Sequence, residues 1–90
     1  MQKGIITVVG QDQVGIIAKV CAYLADTQIN ILDISQTIIQ GYFNMMMIVD
    51  VASTTKEFSS ISDELEKLGN DIGVSIKLQH EDIFQKMHRI

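Results

Sequence analysis

Four places in this 90-residue chain carry residue types that could do chemistry. The first is VVGQDQVGIIAKV, Val8–Val20, where Gly10 and Gly15 stand between an apolar β-branched run and a helical pattern. The others are the triplet Met45, Met46 and Met47, the single cysteine Cys21, and the group His80, Glu81 and Asp82 with His88 further on. A phosphate-binding loop would need Lys and then Ser or Thr after its second glycine, to reach phosphate and metal. Ile16 and Ile17 occupy those places, and the spacing G-x-G-x-x-G of a dinucleotide site is also missing. Nucleotide chemistry at this loop is therefore disfavoured.

What the loop retains is a helix N-terminus. Amides near Val14, Gly15 and Ile16 have no partner within the helix and lie at the positive end of its dipole. Gly15 has no side chain to keep a ligand away, so the site suits a carboxylate. The competing reading is that Gly15 serves close packing while Asp12 caps the helix. The three methionines cannot converge on one soft metal ion, because consecutive strand residues point to opposite faces. They read as adaptable packing. Cys21 falls on an apolar helical stripe and reads as a buried, inert thiol. If the tail is helical, His80 and His88 are more than two turns apart and share no ion. No nucleophile and base pair can be assembled from the spacing, so the sequence points to a protein that is not an enzyme and implies no cofactor and no metal.

Composition narrows the partners. A formal charge of −4, with seven Lys and Arg, leaves no basic footprint for direct nucleic-acid binding. One cysteine excludes an intrachain disulfide. There is no signal-peptide pattern and no apolar run of about 20 residues, so the expected location is cytoplasmic, with no membrane partner.

The elements that must position these residues follow from hydrophobic period. GIITVV, Gly4–Val9, reads as a central strand covered on both sides. From Val14 to about Thr27 the period becomes helical, through Val14, Ile17, Val20, Cys21, Leu24 and Ala25. Asn30–Gly41 alternates, with Leu32, Ile34 and Ile38 opposite Asp33, Ser35 and Thr37, and Gly41 turns the chain into a second alternating strand through Phe43, Met45, Met47, Val49 and Val51. Phe58, Ile61, Leu65, Leu68 and Ile72 mark a second helix, with Thr54 or Thr55 as N-cap and Gly69 or Gly73 as stop. Val74, Ile76 and Leu78 mark a fourth strand near an edge. The order predicts an α+β fold, a ferredoxin-like βαββαβ sandwich with a four-stranded antiparallel sheet and two helices on one face. Residues 1–80 form that domain, and 81–90 extend it as a short C-terminal helix with Ile83, Phe84, Met87 and Ile90 on one stripe. Met46, Ile48, Ile6 and Val8 are expected on the uncovered face, and the long second strand leaves an edge open. Together these predict a homo-oligomer, most simply a homodimer.

The run GQDQVGIIAKVCAYLADTQINI, Gly10–Ile31, resembles the start of an ACT domain, whose pattern is G-x-D-x-x-G-[IL]-[IVL]-A, an amphipathic helix, and then Asn-Ile. Gly10, Asp12, Gly15, Ile16, Ile17, Ala18, Asn30 and Ile31 match, and the resemblance extends over residues 3 to about 80. It looks closest to small free-standing ACT proteins and to the ACT modules of glycine-cleavage repressors and formyltetrahydrofolate deformylases. The resemblance implies a regulatory module that binds an amino acid or related metabolite, paired side by side into an eight-stranded sheet, and acting on a regulated protein. It also implies that the turn Asp12, Gln13, Val14, Gly15 and Ile16 receives the ligand carboxylate, and that Asn30 offers its amide. The run Gln11-Asp12-Gln13-Val14 departs from the Asp-Arg-Pro found in many relatives. The alternative is a structural or adaptor dimer that binds a protein partner with no small-molecule ligand.

Overall fold

The computed structural model of the chain describes residues 2–11 and 13–81. The β-branched apolar run of the first segment makes β1 (Lys3–Gln11), and the two alternating segments make β2 (Asn30–Ile39) and β3 (Tyr42–Asp50). Two residues join β2 to β3, Gln40 at φ 50° and Gly41 at φ 81°. Two successive positive φ values suit the right-handed twist of a tight hairpin. Helices α1 (Ile16–Asp26) and α2 (Phe58–Ile72) fill the crossovers, and β4 (Val74–His80) closes the order βαββαβ. The antiparallel sheet has strand order β2-β3-β1-β4, so β1 is internal and both β2 and β4 are edges. This is the expected ferredoxin-like fold. The expected C-terminal helix falls on residues 82–90, outside those described.

Register decides which residues become core. Ile6 lies opposite Met47 on one side and Leu78 on the other, and Val8 opposite Met45 and Ile76. These rows pack with Ile16, Val20 and Leu24 of α1 and Ile61 and Leu65 of α2 in one buried cluster. Each fully buried aliphatic side chain contributes about 1.5–3 kcal/mol. The register corrects one expectation. Ile6 and Val8 do not share a face with Met46 and Ile48; they lie under the helices, wholly buried. The helix-free face instead carries Ile5, Thr7 and Val9 in line with Ile48, Met46 and Asn44. The methionine triplet divides as strand geometry requires, with Met45 and Met47 in the core and Met46 on the other face.

Helix boundaries bring further corrections. Val14 precedes α1 and is fully exposed, so the buried stripe is Ile16, Val20 and Leu24. Ala25 is exposed and Cys21 only half-buried, one step off that stripe. Glu57, not Thr54 or Thr55, holds the N-cap position of α2; Thr54 Oγ1 instead accepts a hydrogen bond from the Lys56 amide in the preceding turn. Gly73 ends α2 as expected, whereas Gly69 lies inside it, where α2 crosses β4. A Cβ at position 69 would stand 2.6 Å from the Val74 carbonyl oxygen and 3.0 Å from Ile76 Cγ1. Gly69→Ala should therefore lower unfolding stability by about 1–3 kcal/mol through overpacking, although alanine is the better helix former. Urea denaturation reads this directly, and an unchanged or raised midpoint would contradict the close α2–β4 contact.

Candidate functional site

The loop between β1 and α1 is built from two backbone constraints. Gly15 is the N-cap of α1 at φ 94°, in the left-handed region, and among the described residues no side chain caps the helix there. Among the described residues nothing lies within 4 Å of where its Cβ would be, so the glycine answers a backbone conformation and not a packing contact with them. The first intrahelical bond runs from the Lys19 amide to the Gly15 carbonyl at 3.0 Å. Amides in the turn ahead of Lys19 thus have no acceptor within the helix. They stand at the positive end of an 11-residue helix that has no acidic residue in its first turn. Such a turn can hold a carboxylate.

Of the expected site residues, Gln13, Val14, Gly15 and Ile16 form this turn, while Asp12 lies outside the described residues. The Gln13 side-chain amide donates to the Ile72 carbonyl at the end of α2. That bond ties the loop to the α2–β4 turn and commits the Gln13 side chain, leaving its backbone amide. Val14 projects into solvent, and the Ile16 side chain is core, so both would contribute backbone.

Asn30 is elsewhere. It opens β2 opposite Asp50, and Asp50 lies opposite Lys3, the first residue of β1. The loop leaves the other end of β1, where Gln11 is opposite Tyr42 and Tyr42 opposite Ile39. Eight strand residues separate the two levels, about 26 Å. Within one chain, Asn30 and the Gly15 turn lie at opposite ends of the sheet. Asn30 is exposed on an edge strand whose Leu32, Ile34 and Ile38 are also exposed, and Leu32 sits at a bulge between Ile31 and Asp33.

The remaining candidates separate from this loop. His80 ends β4 with its ring stacked on Phe58, centroids 3.7 Å apart and planes at 11°, so it belongs to the fold and not to a solvated tail. Among the described residues no group of three or more His, Cys, Asp or Glu could hold a metal ion, and no helix is long and apolar enough to cross a membrane. A groove of about 410 Å³ follows the β4 edge past Glu66, Asn70, Ser75 and Lys77, and no residue of the 13–16 turn lines it.

Comparison with known proteins agrees with this architecture. The family model described as the ACT domain matches residues 3–79. A UPF0237 protein of Bifidobacterium longum is 66% identical over 90 residues, covering all of both chains. Among solved structures, an ACT domain protein from Streptococcus pneumoniae superposes with a TM-score of 0.82 at 41% identity, over 92% of this chain and 93% of that one. A protein assigned as a glycine cleavage system transcriptional repressor (TM-score 0.76, 22% identity, 87% of this chain and 44% of that one) shares the fold. So does a formyltetrahydrofolate deformylase from Pseudomonas syringae (TM-score 0.81, 18% identity, 88% of this chain and 27% of that one).

One polar link that sequence reasoning missed joins the helices behind the loop. The Tyr23 hydroxyl of α1 donates to Glu64 of α2 at 2.7 Å, and Lys56 Nζ donates to both Glu64 oxygens at 2.7 and 2.8 Å. Partial burial, with the Glu64 carboxylate beside it, pushes the Tyr23 phenol up to about 12. The Lys56 ammonium, and then the Tyr23 hydroxyl, hold Glu64 below the usual carboxylate range. Positions 41 residues apart leave no periodic signal that could have linked Tyr23 to Glu64. Because the folded phenol titrates above its ordinary value of 10, its contribution is complete below about pH 10 and is lost as pH rises towards 12. Tyr23→Phe should flatten the fall in denaturation midpoint across that window relative to the unaltered chain. Identical pH profiles would show that the hydroxyl makes no net contribution.

Proposed function

The chain belongs to the ACT domain family, and on that premise we propose that it is a non-enzymatic regulatory module, a homodimer that binds a small amino acid or related metabolite at the β1–α1 turn and regulates a partner protein. The observation that carries this reading is the turn itself, whose left-handed Gly15 opens α1 and places helix amides without an intrahelical acceptor beside a position that no described side chain fills. A carboxylate is the complement of that arrangement. The fold match to an assigned transcriptional repressor is consistent with a regulatory role.

Placement of Asn30 explains why two chains would be needed. Pairing β2 with β2 of a second copy about a two-fold axis makes those strands antiparallel. The partner's β2 then begins at the end where the first chain's loop stands. Asn30 of one chain would so meet the Gly15 turn of the other, and each dimer would hold two equivalent sites. The same pairing would cover the exposed side chains of Ile34 and Ile38. A ligand contacting both chains stabilises one relative arrangement, and this differential contact is what a regulated protein would sense.

Two outcomes are expected. In calorimetric titrations against the twenty amino acids, at least one should bind, and Asn30→Ala should weaken it by about 1.5–3 kcal/mol, roughly tenfold to a hundredfold. Silence across the whole set would favour an adaptor dimer with no amino-acid ligand. Separately, Ile34→Lys should convert a dimer to a monomer by light scattering, because it places a charge in the paired β2 edge. A dimer that survives this change would be joined elsewhere.

A further inference from the structure

Pairing β2 with β2 of a second copy leaves β4 as the outer edge of the joined sheet at both ends. Among the described residues no strand lies beyond β4, so alternate backbone amides and carbonyls along it face away from the sheet. The groove of about 410 Å³ follows this edge and takes its lining from both sides of the sheet. Glu66 and Asn70 of α2 line it on the helix side. Ser75 and Lys77 alternate with the core residues Val74 and Ile76, and so stand on the helix-free side. Glu66 and Lys77 are exposed, and among the described residues neither has an ion-pair partner. One hydrogen bond links this groove to the Gly15 turn. The Gln13 side-chain amide donates to the Ile72 carbonyl, next to Gly73 in the groove wall.

The two edges differ in what they can pair with. β2, NILDISQTII, holds no Lys or Arg, and full antiparallel overlap with a second copy puts Asp33 opposite Gln36. β4, VSIKLQH, has Lys77 at its centre, so the same overlap would set two Lys77 side chains directly opposite each other. Like charges placed that way destabilise a strand pair. A strand of different sequence avoids the clash. We propose that the β4 edge is the docking site for the regulated protein, and that it takes an extended segment of that protein as an added strand. Charge defines the chemistry of the segment. Side chains of an added strand alternate between the two faces of the sheet. An acidic residue therefore meets Lys77 on the helix-free side, while its basic neighbour in sequence meets Glu66 on the helix side. The groove is lined by Val74, Ser75, Ile76 and Lys77 of β4, about 13 Å of strand, which suits a segment of roughly four or five residues. The proposal rests on the regulatory reading for the existence of a regulated protein, and not on amino-acid binding at the Gly15 turn.

A displayed library of random heptapeptides, selected against the full chain with no amino acid present, tests the docking site. The recovered peptides are expected to carry an acidic residue flanked by a basic one. A synthetic peptide of the recovered sequence should shift the backbone amide resonances of residues 74–78 and leave those of β2 unmoved. Lys77→Glu should weaken that peptide by roughly three- to tenfold, and replacing the peptide's acidic residue with lysine should recover the loss. The proposal is overturned if no peptide is enriched, if the shifts centre on β2, or if Lys77→Glu leaves the affinity unchanged. It is equally overturned if every β4 amide of the free chain already resists hydrogen exchange as fully as those of β1, which would show the edge to be occupied. Calorimetric silence towards the twenty amino acids would sink the ligand reading and leave the peptide result standing, so the two can fail separately.

Discussion

The register of β1 between β3 and β4 is the constraint on which everything else rests. Ile6 in line with Met47 and Leu78, and Val8 in line with Met45 and Ile76, put two full rows of aliphatic side chains under the helices. A slip of one residue would turn those rows out and bring Thr7 and Met46 in. Because β1 is internal, its last residue fixes where the chain must leave the sheet, and therefore where α1 begins. The Gly15 turn is placed by that exit and held from behind by the Gln13–Ile72 hydrogen bond.

Strand direction has an equally firm consequence. β2 runs parallel to β1, with β3 antiparallel between them, so the start of β2 lies at the end of the sheet that the Gly15 turn does not occupy. The turn and Asn30 belong to one ligand site only if a second chain, related by a two-fold axis, supplies one of them. The open β2 edge with its exposed isoleucines provides a surface on which that can happen. On the proposed reading, this one geometric relation would connect ligand binding to assembly.

Much of this was legible in the sequence, for a physical reason. Periods of 2 and 3.6 are local, and they marked five of the six elements, while a short β-branched apolar run marked β1 and Gly41 marked the hairpin turn. The Gly15 turn was legible because a glycine ahead of an apolar helix is a local signal as well. Phase was harder to read: Gly4–Val9 is apolar at every position from Ile5 except Thr7, so alternation could not say whether Ile5 or Ile6 was inward. That is why Ile6 and Val8 were expected on the wrong face. Gln13 with Ile72, and Tyr23 with Glu64, are joined only by the fold, and no local pattern records them. The separation of Asn30 from the turn likewise required topology, since motif matching aligns residues without placing them.

The most direct measurement of the shared-site account is complementation between two defective chains. Gly15→Val would obstruct the turn and Asn30→Ala would remove the amide, so each homodimer should bind poorly the amino acid that the unaltered chain binds best. Subunit exchange between them creates heterodimers in which one site joins an intact turn from one chain to an intact Asn30 from the other. Equal mixing should restore roughly a quarter of full binding capacity, since half the dimers are mixed and each has one of two sites intact. Capacity that stays at the level of the separate variants after exchange would contradict a site built from two chains.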